Sequence, residues 1–129
     1  MPQTAIDVAR VLCRLADLPD NGCREFRLGA GDWPLRGFVL NVAGEVRAYL
    51  NQCAHLQYPL NYQPNEFLTP DGGLVLCRVH GALFEKLTGR CIAGPCYGRS
   101  LISLPVRIDA GYILLGDEAD PEELAARYA

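Results

Sequence analysis

Long apolar runs are missing from this sequence. Its longest, such as Phe38-Val39-Leu40 and Tyr112-Ile113-Leu114-Leu115, fall far short of the roughly 20 residues that cross a bilayer as a helix. A secretory leader is missing too: residues 1–20 have no basic stretch ahead of an apolar core and are interrupted by Asp7, Arg10 and Arg14. These absences predict a cytoplasmic protein with no membrane attachment. No basic stripe stands out among 12 Lys and Arg against 15 Asp and Glu, which excludes nucleic acid as the expected partner. The formal charge of −3 is placed unevenly. Residues 117–129 hold Asp117, Glu118, Asp120, Glu122 and Glu123 against Arg127, or −5 + 1 = −4, so the remainder is near +1. We found no internal repeat, and 129 residues, half of them hydrophobic, suffice for one domain with a real core.

Histidine is scarce as well, with only two in the chain, and both stand beside cysteines. Cys53-Ala54-His55 is followed after 21 residues by Cys77-Arg78-Val79-His80. Each pair delivers one soft thiolate and one imidazole from a tight loop. The set suits a tetrahedral zinc site, although C-x-H is an unusual zinc knuckle. It equally suits a two-iron cluster held by thiolates at one iron and imidazoles at the other. Six cysteines in a secreted chain of this size would suggest a disulfide scaffold. Without an export signal, Cys13, Cys23, Cys91 and Cys96 read as thiols in a reducing compartment. Cys91 and Cys96 flank Gly94-Pro95; free thiols are expected there, with a local disulfide or spare ligands as the alternatives.

The residues around the two pairs carry a resemblance. The stretches CAHLQYPL at 53–60, CRVHGALFEKLTGRCIAGP at 77–95 and the L-x-x-L-P-V-R-I-x-x-G pattern at 101–111 resemble the Rieske ferredoxin family over about residues 10–116. The resemblance implies a Rieske [2Fe-2S] cluster, with Cys53 and Cys77 on the buried iron and His55 and His80 on the exposed one. It also implies a low reduction potential. High-potential relatives brace the ligand loops with a disulfide and donate serine and tyrosine hydroxyls to the cluster. The matching positions here are Tyr58 and Val79 for the disulfide, and Ala82 and Phe84 for the hydroxyls. None carries the required group, which places the centre near or below the bottom of the Rieske range, about −150 mV. Two residues depart from the family pattern: Arg78 stands where proline is common, and Gln57 replaces a usual glycine.

Short apolar groups rich in β-branched and aromatic residues, separated by Gly, Pro, Asn and Asp, predict an all-β fold. Strands are expected at Val11–Leu15, Arg24–Leu28, Gly37–Val42, Glu45–Asn51, Leu74–Cys77, Leu83–Glu85, Ser100–Val106 and Tyr112–Leu115, with Ala43-Gly44 as a hairpin turn. Residues 61–73 read as an extended linker. Asp120 as N-cap, Pro121 at N1 and Glu123 at N3 predict one short C-terminal helix at about 120–128. The resemblance turns this pattern into a Rieske-like antiparallel β-sandwich: a single domain over 1–129, with a protruding cluster-binding subdomain at about 52–97.

An oxygenase would need a second iron bound by two histidines and a carboxylate, and both histidines are already assigned. No independent substrate-transforming site is expected. The resemblance therefore points to a soluble, monomeric electron carrier passing single electrons from a flavin-dependent reductase to an oxygenase. The alternatives are a small Rieske-like subunit of a larger reductase, such as nitrite reductase, and a zinc-stabilised interaction domain.

Overall fold

A computed structural model describes residues 7–29, 34–54 and 59–128. Three antiparallel sheets account for the strands among them. Strands β1 (Val11–Arg14), β2 (Cys23–Leu28), β3 (Leu35–Val42) and β4 (Glu45–Leu50) come first, followed by the short β5 (Val75–Leu76), β6 (Leu83–Phe84) and β7 (Cys91–Ala93). The chain closes with β8 (Ser103–Leu104), β9 (Val106–Asp109), β10 (Tyr112–Leu115) and one helix, α1 (Pro121–Tyr128). The sheet orders are β2-β3-β4-β8, β1-β10-β9 and β5-β6-β7.

The four-stranded sheet is buried on both faces, and the period-2 alternation of its strands sorts residues between two cores. Leu35, Val39, Val46, Ala48 and Leu50 face one core with Leu12, Leu104, Ile113 and Leu115 of the flanking strands. Phe38, Leu40 and Tyr49 face the other, shared with Phe67, Val75, Phe84 and the cysteines of the small sheet. At Gly37 the strands approach so closely that a Cβ would lie 2.4 Å from the Phe26 ring and 2.6 Å from the Tyr49 carbonyl. The expected turn joins β3 to β4, with φ of 52° at Ala43 and 89° at Gly44, the positive pair that a two-residue hairpin needs. Alanine is strained there. The Ala43 amide donates to Asp20 Oδ1 (2.7 Å) and the Gly44 amide to Asn41 Oδ1 (2.9 Å), which offsets that cost.

Several expected boundaries move. The strand expected at Ser100–Val106 divides at Pro105, which has no amide to give a ladder; β8 stays with β4 while β9 joins β10 in the other sheet. Leu15 leaves β1 to open a 3-10 turn, Leu15–Asp17. β7 was not expected at all. The 61–73 linker is not merely extended: Phe67 is fully buried and stacks on Phe38 with ring centroids 4.2 Å apart and planes 11° from parallel. Helix α1 starts as expected, with the Glu122 amide donating to Asp120 Oδ1 at 3.0 Å. The second half of the capping box does not form, because Glu123 pairs with Arg127 at 3.2 Å. Among the described residues no helix is long and apolar enough to cross a membrane.

Candidate metal centre

The first ligand loop leaves the end of β4. Asn51, the one buried polar residue among the described residues, ties it off: its backbone N–H donates to Arg36 O (3.0 Å), its side-chain Oδ1 accepts from the Leu60 amide (2.8 Å) and its Nδ2 donates to Asn61 Oδ1 (2.9 Å). One side chain thus ties the end of β4 to Leu60 and Asn61. Cys53 projects from it into the second core and is buried. Gln52 points the other way, donating to Tyr128 O at 2.6 Å, so α1 is fastened beside the first cysteine. His55, Gln57 and Tyr58 lie outside the described residues.

The second ligand loop is a turn between β5 and β6. The Gly81 amide donates to Cys77 O and the Cys77 amide to Ala82 O, both at 2.9 Å. Gly81 has φ of 74°, which lets the chain double back directly after His80. The Arg78 amide donates to Leu60 O at 2.7 Å, joining this loop to the end of the first. The Arg78 guanidinium folds onto Leu68 O at 3.4 Å, so this departure from the family pattern contacts the chain between the ligand loops. Cys77 is fully buried and His80 is exposed.

Burial pushes the Cys77 thiol up from its ordinary value; the His80 amide opposes this, the neighbouring Cys53 thiol adds to it, and the Val79 amide opposes it again. The turn therefore aims backbone N–H groups at a sulfur in an apolar pocket, where an uncompensated thiolate would be costly. Such a pair of buried sulfurs, supplied with amide donors, suits a cationic iron centre that holds both as thiolates. Among the described residues no three Cys, His, Asp or Glu side chains gather around a single ion-sized point. The described donors are a buried thiol pair and an exposed imidazole.

A third loop packs on the second. At Gly94, with φ of 98°, a Cβ would lie 2.8 Å from Ala82 Cα. Glycine is needed for the two backbones to touch. Ala82 and Phe84, the positions compared with hydroxyl-bearing relatives, are both fully buried. All six cysteines are free thiols. Cys96 sits beside both Cys91 and Cys53, and burial first, then the Cys91 thiol, pushes its thiol up to about 12.

With a buried cysteine pair and an exposed histidine brought together by facing loops, the family comparison becomes decisive. Residues 9–107 match the model of the Rieske [2Fe-2S] domain. The chain belongs to this family. Its cofactor is accordingly a Rieske [2Fe-2S] cluster. Among solved structures, this Rieske domain is similar to the ferredoxin of Sphingomonas yanoikuyae B1, with 28% identity, a TM-score of 0.61, and 83% of this chain and 96% of that one covered. It shares its fold with the ferredoxin of carbazole 1,9a-dioxygenase from Nocardioides aromaticivorans IC177 (21% identity, TM-score 0.62, coverage 82% and 94%). The same holds for part of the terminal oxygenase of carbazole 1,9a-dioxygenase from Novosphingobium sp. KA1 (19% identity, TM-score 0.66, coverage 88% and 31%). No curated protein sequence matches the chain.

Of the two cysteine–histidine pairs expected from the sequence, the structure brings Cys53 and Cys77 together; the sequence reading passed over two residues that hold the loops. Asn51 was read only as a strand end, although a lone amide side chain between Leu50 and the first cysteine is the kind of group that closes a loop. Phe67 was read as linker, although the adjacent apolar pair Phe67-Leu68 among polar residues is the kind of group that fills a core.

Proposed function

We propose that this Rieske domain is a ferredoxin, an electron carrier that accepts single electrons from a flavin-dependent reductase and delivers them to an oxygenase. The observation that carries this reading is the asymmetry of the site. Cys53 and Cys77 are sealed in the core while His80 stands at the surface. Cys53 and Cys77 would hold one iron of the cluster, and His55 and His80 the other. When bound, the cluster stores and releases one electron at a time, at a potential set by its charge, the hydrogen bonds to its sulfurs and its exposure. The chain's own part is to keep water from the thiolates through Phe38, Leu60, Phe67 and Phe84, and to direct the Val79 and His80 amides at Cys77. The exposed His80 turn is the side on which a partner approaches. Residues 1–129 act as one domain with a cluster lobe at about 52–97, working in the cytoplasm as a monomer without a substrate-transforming site of its own.

Protein purified anaerobically is expected to be red-brown, with two irons and two sulfides per chain, and to give a reduced-state EPR signal of low average g. One zinc and no sulfide after anaerobic reconstitution overturns the assignment. Reoxidation of the dithionite-reduced protein by an oxygenase preparation, but not by the oxygenase's substrate alone, is the outcome that supports the carrier role.

A further inference from the structure

Two cysteines that the metal centre does not use lie against each other. Cys96 Sγ donates to Cys91 Sγ at 3.0 Å, and both residues are buried. Four residues separate them, and the backbone pins that short loop shut: the Cys91 amide donates to Arg99 O (2.8 Å), the Gly98 amide to Cys91 O (3.3 Å) and the Arg99 amide to Cys96 O (2.9 Å). A disulfide needs its sulfurs about 2.05 Å apart, so closing this pair takes a relative movement of about 1 Å. Gly94, Pro95, Tyr97, Gly98 and Arg99 around Cys96 are exposed. Both cysteines are buried under this exposed turn, so a reagent reaches the sulfurs only when the turn opens. Cys13 and Cys23 offer no rival pair, because Cys13 packs against the core of Leu12 and Ile113 and Cys23 against the other core, with Phe38 and Phe67.

We propose that Cys91 and Cys96 are an oxidisable dithiol that hydrogen peroxide closes into an intraloop disulfide ahead of the cluster ligands. In the first step one sulfur attacks a peroxide oxygen; the O–O bond breaks, giving a sulfenic acid and one water. In the second step the other sulfur attacks the sulfenic sulfur; the S–S bond forms, the S–O bond breaks and a second water leaves. The two sulfurs supply two electrons, peroxide is reduced, and both thiol protons end in the waters. Cys53 and Cys77 are held back because their sulfurs are engaged with iron. The order relative to the cluster ligands rests on the proposed ligand assignment; the disulfide does not.

The test is a peroxide titration of the holoprotein, quenched, alkylated and digested with trypsin. Cleavage after Arg90 and Arg99 releases Cys91–Arg99, which contains both cysteines and no other. The expected result is that this peptide passes from two alkyl groups to none, with the loss of two hydrogens, while the visible absorption of the cluster persists. Three results overturn the proposal: a peptide that stays doubly alkylated until the absorption is bleached, sulfinic or sulfonic acid in place of the bond, or a bond reaching to Cys53 or Cys77. In the Cys96→Ser variant the two-hydrogen loss must disappear; its survival there also overturns the assignment. A colourless preparation with Cys53 and Cys77 open to alkylation refutes the cluster assignment alone, and the peptide still decides the dithiol.

Discussion

The sheet pair built from β2-β3-β4-β8 and β1-β10-β9 and the lobe carrying the metal centre are held together by different means. In the frame, β3 pairs with β2 and β4 over six residues each, and alternating side chains fill its cores. In the lobe, β5 and β6 are two residues long. Its shape comes instead from single contacts: the Asn51 clip, the Arg78–Leu60 bond, positive φ at Gly81 and the touch of Gly94 on Ala82. The frame is stable through many equivalent contacts, whereas the lobe depends on a few that cannot be exchanged. A lobe specified in this way has little reserve when one part is lost.

Removing the metal should separate the two regions most sharply. Iron extraction, or Cys77→Ser, is expected to abolish the cluster spectrum and to speed amide hydrogen exchange over residues 75–98 at least tenfold, while β2 to β4 keep their protection. Equal loss of protection in both regions breaks the comparison. Next in size are two substitutions that address the regions one at a time. Gly37→Ala forces a methyl into the Phe26 ring and should lower stability to denaturant by about 1–3 kcal/mol, with the cluster spectrum of the folded fraction unchanged. Asn51→Ala strands the buried Leu60 amide; it should also cost about 1–3 kcal/mol, but with an altered EPR signal and faster cluster loss.

A smaller effect tests the lobe's chemistry rather than its folding. Phe84→Tyr adds a hydroxyl at a fully buried position. If it gains about 1 kcal/mol of hydrogen bonding in the reduced state, the potential should rise on the order of 40 mV, given 59 mV per tenfold change for one electron. Protein-film voltammetry of the two proteins checks it, and an unchanged or lower potential removes that position from the tuning of the site. The smallest effect concerns the turn before β5. The Thr69 hydroxyl and the Gly73 amide donate to Asp71 and hold its carboxyl below the ordinary carboxylate value. A lowered folded-state value means this contribution is present above the unfolded carboxylate pKa and is lost as pH falls through the folded one. Acid titration followed by NMR should show the amides of 69–74 shifting before those of β3, and Asp71→Asn should erase that early step.

The same contrast explains what could be read from the sequence. β3, β4, their Ala43-Gly44 turn and α1 were legible because alternation, turn chemistry and capping are local. The two cysteine–histidine pairs stood out through residue type and spacing, and the structure brings Cys53 and Cys77 together. β7 was not, since three residues, Cys91–Ala93, are too few to show a period. Nor was the division at Pro105, because the apolar residues on either side look continuous until the missing amide is matched to a particular ladder. Phe67 and Asn51 act through partners, Phe38 and Leu60, whose positions are settled only by the folded chain.

The pairing of β1 with β10, Val11–Arg14 against Tyr112–Leu115, sets an order of events on the ribosome. β2, β3 and β4 can pair as they emerge, and both cysteine–histidine loops follow before residue 81. β1 must wait for a partner nearly 100 residues downstream, on the order of 5–20 s at about 5–20 residues per second. For the last third of that interval, from residue 81 to about residue 112, both loops are already made while one face of the four-stranded sheet lacks its cover. A cluster inserted before β10 is made would enter a chain whose sheet is still open on one side, and one inserted afterwards a closed frame.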